Sequence, residues 1–286
     1  MDKIKLGFIG QGFVGNNMAT DFVERGFEVV RYSLEQEYIS NKDFIKDCEV
    51  VFIAVPTPTT PEGFNDSILR NEIKNLVGKG KTAVIKSTVL PGTTESIQKE
   101  NPDIFVLHSP EFLKEVTAKE DTKYPERNLI GITIDTPEYR AKAELVLSLL
   151  PKAPYERIFL SKETELIKYI GNNFLYMKII FMNLMYDLGD KIGADWQNIA
   201  EAVSEDSRIG KSHMLPVHAS GLSNKVGRGA GGHCFPKDFE ALLQFYRDTV
   251  KDENGLKVLE SIRDKNVELM KSTGKDAEIL KGVYNI

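Results

Sequence analysis

Over the first half of the chain, apolar residues fall in short unbroken runs, each closed by Gly, Pro or a polar turn: KIKLGFIG, FEVVRY, EVVFIAVP, TAVIKST, DIFVLHSP and NLIGITI. Runs rich in Val and Ile with no polar alternation are the mark of strands buried on both faces. Between them, apolar positions three and four apart predict helices over 13–25, closed by Gly26, over 66–77, and from Pro137 to about 150. Strand and helix in alternation predict an α/β fold, a doubly wound parallel sheet of Rossmann type.

After the prolines at 151 and 154 the pattern changes. From Ser161 to about Lys191 the apolar period is helical and no proline interrupts it, which predicts one long central helix of roughly 45 Å. A shorter helix is expected at 196–203, then a glycine-rich stretch over 205–235 with no period, then helices over 236–248 and 255–271. A loop of that length inside a compact domain is usually functional. The expected organisation is a dinucleotide-binding domain over 1–155 and an all-helical domain over 156–286.

Charge and cysteine content remove several classes of function. A net charge of −5 offers no clustered positive surface for nucleic acid. The start, MDKIKLGFIG, lacks the apolar core and cleavage site of a signal peptide. The most apolar long stretch, 169–188, is interrupted by Lys178, Asn183 and Asp187, so no membrane span is expected. Two cysteines cannot form a disulfide framework, and Cys48 leads into a buried strand; a cytoplasmic protein is expected. His108, His213, His218 and His233 show no metal-type spacing with cysteine, so no metal is expected.

The first strand runs into Gly10-x-Gly12-x-x-Gly15 and then a helix. The first glycine permits the tight turn, the second lets backbone approach a pyrophosphate, and the third lets helix pack on strand. Gly10, Gly12, Phe13, Val14 and Gly15 are therefore the expected pyrophosphate site, at the positive end of a helix. An acidic residue should end the second strand to hold the adenosine ribose. Ser33 stands there instead, after Arg31 and Tyr32, with Glu35 and Glu37 just beyond. Either glutamate could replace the missing acid, whereas Arg with Ser suits a 2′-phosphate. NAD is the expected cofactor, with NADP open.

Six further blocks occur in order: VFIAVPTPT, KSTVLPGTT, SPEFLKEVTAKEDTKYPERNLIG, ELIKYIGNNFLYMKIIFMN, DSRIGKSHMLPV and GAGGHCFPKD. Together they resemble the UDP-glucose/GDP-mannose (nucleotide-sugar) dehydrogenase family, and its UDP-glucose-oxidising members most. The likeness runs from about residue 4 to about residue 271. It implies oxidation of a sugar C6 alcohol to a carboxylate with two NAD, through an aldehyde and a cysteine thioester. On the family's motifs Cys234 matches the nucleophile. Asp238 and Thr88 match the residues that hold a catalytic water, and Lys168 and Asn172 the pair that stabilises the oxyanion. Glu111 matches the carboxylate of thioester hydrolysis, and Glu115 a second carboxylate near the cofactor. Pro56, Thr57 and Thr88 are implied at the cofactor; Phe112, Leu113, Lys168, Asn172 and Gly231 at the sugar nucleotide. Arg208 matches an arginine that reaches into the neighbouring subunit's substrate site. The sequence departs from the family at Ser33 and at Ala230, where the family loop carries an aromatic. The family also carries a third, nucleotide-fold unit that holds the substrate's nucleotide; with the sequence ending at Ile286, this unit is expected to be missing.

The residues themselves support such chemistry. Lys168 and Asn172, four apart, share one helix face and can both donate to a developing alkoxide. Glu111 follows a strand end, where open parallel sheets bind ligands. A thiolate is favoured at a helix start and beside a cation; Cys234 precedes Pro236 and Lys237. An alcohol-to-ketone oxidation needs no nucleophile, whereas taking an aldehyde to an acid needs an adduct that can give up a second hydride. The alternatives are a two-electron dehydrogenase of β-hydroxyacid type, for which Cys234 has no role, and a non-catalytic protein that retains the fold. The Phe- and Met-rich stretch NNFLYMKIIFMNLM offers more apolar surface than a small helical domain covers, which also points to a dimer.

Overall fold

The computed structural model describes residues 4–220 and 225–286. Lys3, expected to open the first strand, and Gly221–Asn224 of the expected loop lie outside the described residues. The chain forms two compact units. Met1–Pro58 with Asn65–Lys168 make the first, and Thr59–Phe64 with Tyr169–Ile286 make the second.

The first unit is a seven-stranded sheet in the spatial order Glu28–Tyr32, Lys5–Ile9, Val50–Ile53, Thr82–Ile85, Phe105–His108, Arg127–Ile132, Tyr155–Leu160. Val50–Ile53 and Thr82–Ile85 are buried at every position, which is why their sequences show no alternation. Phe8 and Phe52 stack across neighbouring strands with ring centres 5.0 Å apart, and Phe22 of the helix Phe13–Glu24 meets Phe8 at 5.4 Å. Burying each ring is worth roughly 2–3 kcal/mol, and the trio fixes that helix on the sheet. Its end is closed by Gly26, as expected, at φ 84°.

Two features depart from the expected sheet. Phe105–His108 and Arg127–Ile132 run antiparallel, not parallel. A parallel step needs a helix to carry the chain back across the sheet, and the connection after His108 contains only the six-residue helix Ala118–Lys123. The sheet also continues past the prolines at 151 and 154 with a seventh strand, Tyr155–Leu160. Tyr155–Leu160 pairs in parallel with Arg127–Ile132 and forms the sheet's edge. With one side unpaired, and with half-buried Glu156 and exposed Arg157 within it, this strand lacks the unbroken apolar run of the inner strands.

In the second unit, Tyr176, Ile179 and Ile180 of the long helix Ser161–Lys191 pack with Phe239, Leu243 and Leu269. Tyr176 and Phe239 stack with centres 4.1 Å apart. These last residues lie on the helices Phe235–Thr249 and Glu253–Thr273. The glycine-rich stretch is not structureless: Val217–Ala219 pairs with Val226–Arg228. A short helix, Ala277–Tyr284, follows the last expected one.

The start of the long helix belongs to the first unit, where Glu165 is fully buried. Its carboxylate accepts the N–H of Gly92 at 2.6 Å, and the N–H and hydroxyl of Thr94 at 2.8 and 2.6 Å. The helix Thr93–Glu100 has no side-chain cap from its N-cap residue, so Glu165 supplies one from a distant part of the sequence. Burial pushes this carboxyl from 4.5 up to about 7, against the opposing pull of those donors. The folded state then holds the proton more tightly than the unfolded chain. The stabilisation is complete below about 4.5 and lost as pH rises through about 7. In urea unfolding, the advantage of wild type over Glu165→Gln should shrink by roughly 3 kcal/mol between those limits. A difference that does not move with pH would refute the assignment.

Candidate active site

In an open parallel sheet, ligands bind beyond the carboxyl ends of the strands. In the first unit those ends lead into Gly10–Gly15, Ala54–Thr57, Lys86–Thr88 and Ser109–Phe112. Gly10 has φ 87°, and a β-carbon there would lie 2.3 Å from the Ala54 carbonyl oxygen. One on Gly15 would lie 1.9 Å from the Gly10 carbonyl oxygen. These two glycines are demanded by the chain's own packing. Gly12 differs: nothing lies within 4 Å of where its β-carbon would be. It is the N-cap of the helix Phe13–Glu24 and makes no side-chain cap. An open hollow before the amides of Phe13, Val14 and Gly15 fits a pyrophosphate.

At the ribose position the Ser33 hydroxyl accepts the Glu35 N–H at 3.2 Å. Arg31 lies along the first helix, donating to Asn16 and Thr20 at 3.2 Å each. Thr57 is buried and donates its hydroxyl to the Thr88 carbonyl at 2.8 Å; Pro56 beside it is exposed. Ser87, which the sequence reading passed over, ties the same two strand ends. Its hydroxyl accepts the Val55 N–H at 3.0 Å and donates to the Val55 carbonyl at 2.7 Å.

Lys86 was also missed. It is only 6% exposed, and its Nζ lies 3.1 Å from Glu111 Oε2 and 3.2 Å from the Ser109 hydroxyl. The signal was present: a lysine ending a buried strand needs a partner. Glu111 also accepts the Phe112 N–H at 2.8 Å, so both its oxygens are engaged. These residues, with Leu113, Arg127 and Asn128, border a small cavity of about 60 Å³, room for water molecules. Two cations flank the Phe112 ring: the Arg127 guanidinium at 3.8 Å and Lys168 Nζ at 5.5 Å. Glu115 is exposed. His108, fully buried, is held neutral down to about 3, chiefly by desolvation. Its Nδ1 lies 2.8 Å from the Thr164 hydroxyl.

In the second unit Cys234 is exposed and forms the N-cap of the helix Phe235–Thr249. The Asp238 N–H donates to the Cys234 carbonyl at 3.0 Å. Asp238 is 1% exposed and accepts from two sides: Asn172 Nδ2 at 2.6 Å and Lys237 Nζ at 2.5 Å. Burial lowers the affinity of Lys237 for its proton, but Asp238 and Cys234 outweigh it and hold the lysine above its ordinary range. The ammonium therefore stays charged beside the thiol. Cys48, by contrast, is buried and pushed up to about 11, mainly by desolvation.

The glycines before Cys234 have a cause in packing. A β-carbon on Gly231 would lie 2.2 Å from Asp276 Oδ2, and one on Gly229, 2.8 Å from Asn266 Oδ1. Packing against buried polar side chains requires both. Ala230 is fully buried in the apolar core, where a larger side chain would have no room. Arg208 is exposed and pairs with Asp206 at 2.6 Å; the next residues are anchored by Lys178, whose Nζ donates to the carbonyls of Ile209 and Gly210 at 2.8 and 3.1 Å.

The expected residues thus divide. Those from Gly10 to Lys168 lie in the first unit; Asn172, Arg208, Gly231, Cys234 and Asp238 lie in the second. Among the described residues, no group of three or more His, Cys, Asp or Glu is arranged to hold a metal ion, and no helix is long and apolar enough to cross a membrane.

Two models of one family match the chain. The NAD binding domain of the UDP-glucose/GDP-mannose dehydrogenase family matches residues 32–146, and its central domain matches residues 162–268. A UDP-glucose 6-dehydrogenase of Rhizobium meliloti (strain 1021) is 33% identical, over 86% of this chain and 64% of that protein. A UDP-glucose 6-dehydrogenase of Rickettsia bellii is 35% identical, over 82% of this chain and 54% of that protein. The chain therefore spans about half to two thirds of the length of such relatives. Among solved structures, a UDP-glucose dehydrogenase from the archaeon Pyrobaculum islandicum superposes with a TM-score of 0.76 at 26% identity, covering 92% of this chain and 68% of that one. The chain belongs to the UDP-glucose/GDP-mannose dehydrogenase family, and its first unit carries that family's NAD-binding fold.

The three glycines should separate fold from binding. Gly15→Ala should lower thermal stability by roughly 1–3 kcal/mol through overpacking. Gly12→Ala, whose methyl enters open space, should leave the melting temperature nearly unchanged yet weaken NAD binding by roughly tenfold or more in calorimetry. Unimpaired NAD binding by Gly12→Ala would show that the hollow is not the pyrophosphate site.

Proposed function

We propose that the chain oxidises the C6 alcohol of a nucleotide sugar to a carboxylate in two NAD-dependent steps, as in the conversion of UDP-glucose to UDP-glucuronate. The observation that carries this reading is the setting of Cys234: an exposed thiol at a helix start, with charged Lys237 and buried Asp238 in the turn that follows, and Asn172 of the long helix donating to Asp238. Hydride transfer from an alcohol has no use for a thiol, whereas the second oxidation, from aldehyde to acid, does. When bound, NAD accepts one hydride in each oxidation.

In the first step the alcohol gives up a hydride and a proton. Asp238 is suited to hold the water that takes the proton, with Thr88 assigned the same task. Lys168 and Asn172 are assigned to the developing oxyanion. Asn172 gives one amide N–H to Asp238 and keeps a second for substrate. In the second step Cys234 sulfur bonds to the aldehyde carbon as the carbonyl oxygen gains a proton. Loss of a hydride to NAD and of the hydroxyl proton to water turns this thiohemiacetal into a thioester. Water then cleaves the C–S bond, releasing the carboxylate and returning the thiol. Glu111, its carboxylate fixed by Lys86, is assigned to that hydrolysis. A thiol nucleophile requires a reducing compartment, consistent with a cytoplasmic setting.

The same reading makes the protein a homodimer. Phe181 and Leu188 on the long helix are each 55% exposed, and Ile192 just beyond it 71%. They line a strongly apolar cavity of about 350 Å³ with Trp196 and Met214. A second copy covering this face would bury it and bring Arg208 toward the partner's substrate.

Purified protein with UDP-glucose should reduce two NAD per sugar. Cys234→Ser should lose this stoichiometry, since serine forms no thioester. One NAD per sugar, unchanged in the variant, would overturn the four-electron reading. Light scattering at micromolar concentration should report a dimer, and Leu188→Glu a monomer; a monomeric wild type would remove the cross-subunit role of Arg208.

A further inference from the structure

We propose that Asn266, Lys275 and Asp276 are positioning residues for Cys234, acting through the backbone of Gly229, Ala230 and Gly232. The inference rests on Cys234 as the nucleophile. Lys275 Nζ donates to the Gly229 carbonyl at 2.9 Å. Asn266 brackets the next residue, accepting the Ala230 N–H at 2.7 Å and donating to the Ala230 carbonyl at 3.0 Å. Asp276 Oδ2 accepts the Gly232 N–H at 2.8 Å, and the Ser220 hydroxyl at 2.5 Å. Four main-chain groups in the stretch that leads to Cys234 are thus held by three side chains, all of them buried.

Such an arrangement is costly if stability is its only purpose. Buried ions lose hydration, and well-packed apolar side chains of similar volume commonly stabilise as much or more. What apolar residues cannot do is fix the direction of a backbone N–H or carbonyl. Here the backbone has been fitted to the side chains, since Asp276 forbids a β-carbon on Gly231 and Asn266 forbids one on Gly229. Asp276 itself sits at φ 47°, a left-handed conformation uncommon for a residue with a side chain. Strain of this kind persists where the surroundings over-determine it. The network extends through Lys275 to His218 Nε2 at 3.1 Å. Desolvation lowers His218 to about 4, so its ring is a neutral acceptor for the ammonium. With residues 229–232 fixed, Cys234 starts its helix from a defined point, and its sulfur presents one direction to a substrate. A thiol must meet an aldehyde carbon within a few tenths of an ångström of the productive geometry.

The test is the rate at which iodoacetamide alkylates Cys234 in the full-length chain, read peptide by peptide. It needs no turnover, so it stands apart from whether the proposed oxidation occurs. Buried Cys48 reports opening of the first unit, and emission from Trp196, the single tryptophan, reports the fold of the second. Asp276→Ala and Asn266→Ala should each change the Cys234 rate by roughly tenfold or more, with Cys48 protected and Trp196 emission unchanged. Asp276→Asn keeps an acceptor oxygen for the Gly232 N–H and should return the rate to within about threefold of wild type. Rates within about twofold of wild type in both alanine variants would overturn the proposal. So would a shift in Trp196 emission in both, since the residues would then serve folding alone. If only one variant perturbs Trp196, the other decides by the same criterion.

Discussion

A carboxylate removed from water must be met by donors, and the second unit is arranged around one. Asp238 meets Asn172 from the long helix and Lys237 from its own. Its place in the first turn of the helix Phe235–Thr249 adds the helix's partial positive charge. An uncompensated charge in that position would cost several kcal/mol, so the hydrogen bonds set how far apart the two helices stand. The stacked pair Tyr176–Phe239 begins one residue after Asp238 and four after Asn172, so the polar bridge and the apolar core hold the same two helices in register. Cys234 lies one turn earlier on the second of them, and its place follows from that register.

The first unit solves a similar problem with backbone. Its strand ends converge on one edge, and the joints between them are made by small polar side chains rather than by bulk. Ser87 both gives to and takes from Val55, and Thr57 gives to Thr88. This keeps the edge shallow where a dinucleotide would lie. A deeper polar contact there, Lys86 with Glu111, joins the ends of two strands and presents a carboxylate whose orientation is set from below.

How much of this was legible in the sequence depends on what kind of cause put each residue in place. The α/β class was legible, because strands buried on both faces leave unbroken runs of Val and Ile. So was the turn from Gly10 to Gly15, because the packing at those two positions admits no β-carbon. The antiparallel step after His108 was not, since strand direction depends on where an irregular connection goes, and the residues of Ser109–Glu126 carry no period that tells. The edge strand Tyr155–Leu160 was hidden for a different reason: Glu156 and Arg157 interrupt its apolar run just past the prolines where the domain boundary was expected. In the candidate site, Cys234 was singled out by its helix start and neighbouring lysine, Asp238 only by the family's motif. Asn266, Lys275 and Asp276 were not, because a Lys-Asp pair after a helix reads as solvated surface. Only its burial against main-chain groups forty residues away in sequence gives it meaning.

The two cysteines show what surroundings do to one functional group. Cys48 enters a strand, loses water on every side, and becomes a poor nucleophile whose thiol holds its proton. Cys234 keeps water, a helix start and an ammonium within reach, and its loop is fixed by buried polar groups in addition to the apolar packing of Ala230. On the proposed reading, a nucleophile that attacks an aldehyde and then leaves as a thiolate needs that setting at both moments: charge stabilised when the sulfur is free, and direction preserved while it is bonded. Apolar burial would give direction and forfeit the charge; a flexible exposed loop would keep the charge and forfeit direction. A buried polar scaffold beneath an exposed thiol supplies both, which explains why the most expensive side chains of the second unit lie directly under its glycines.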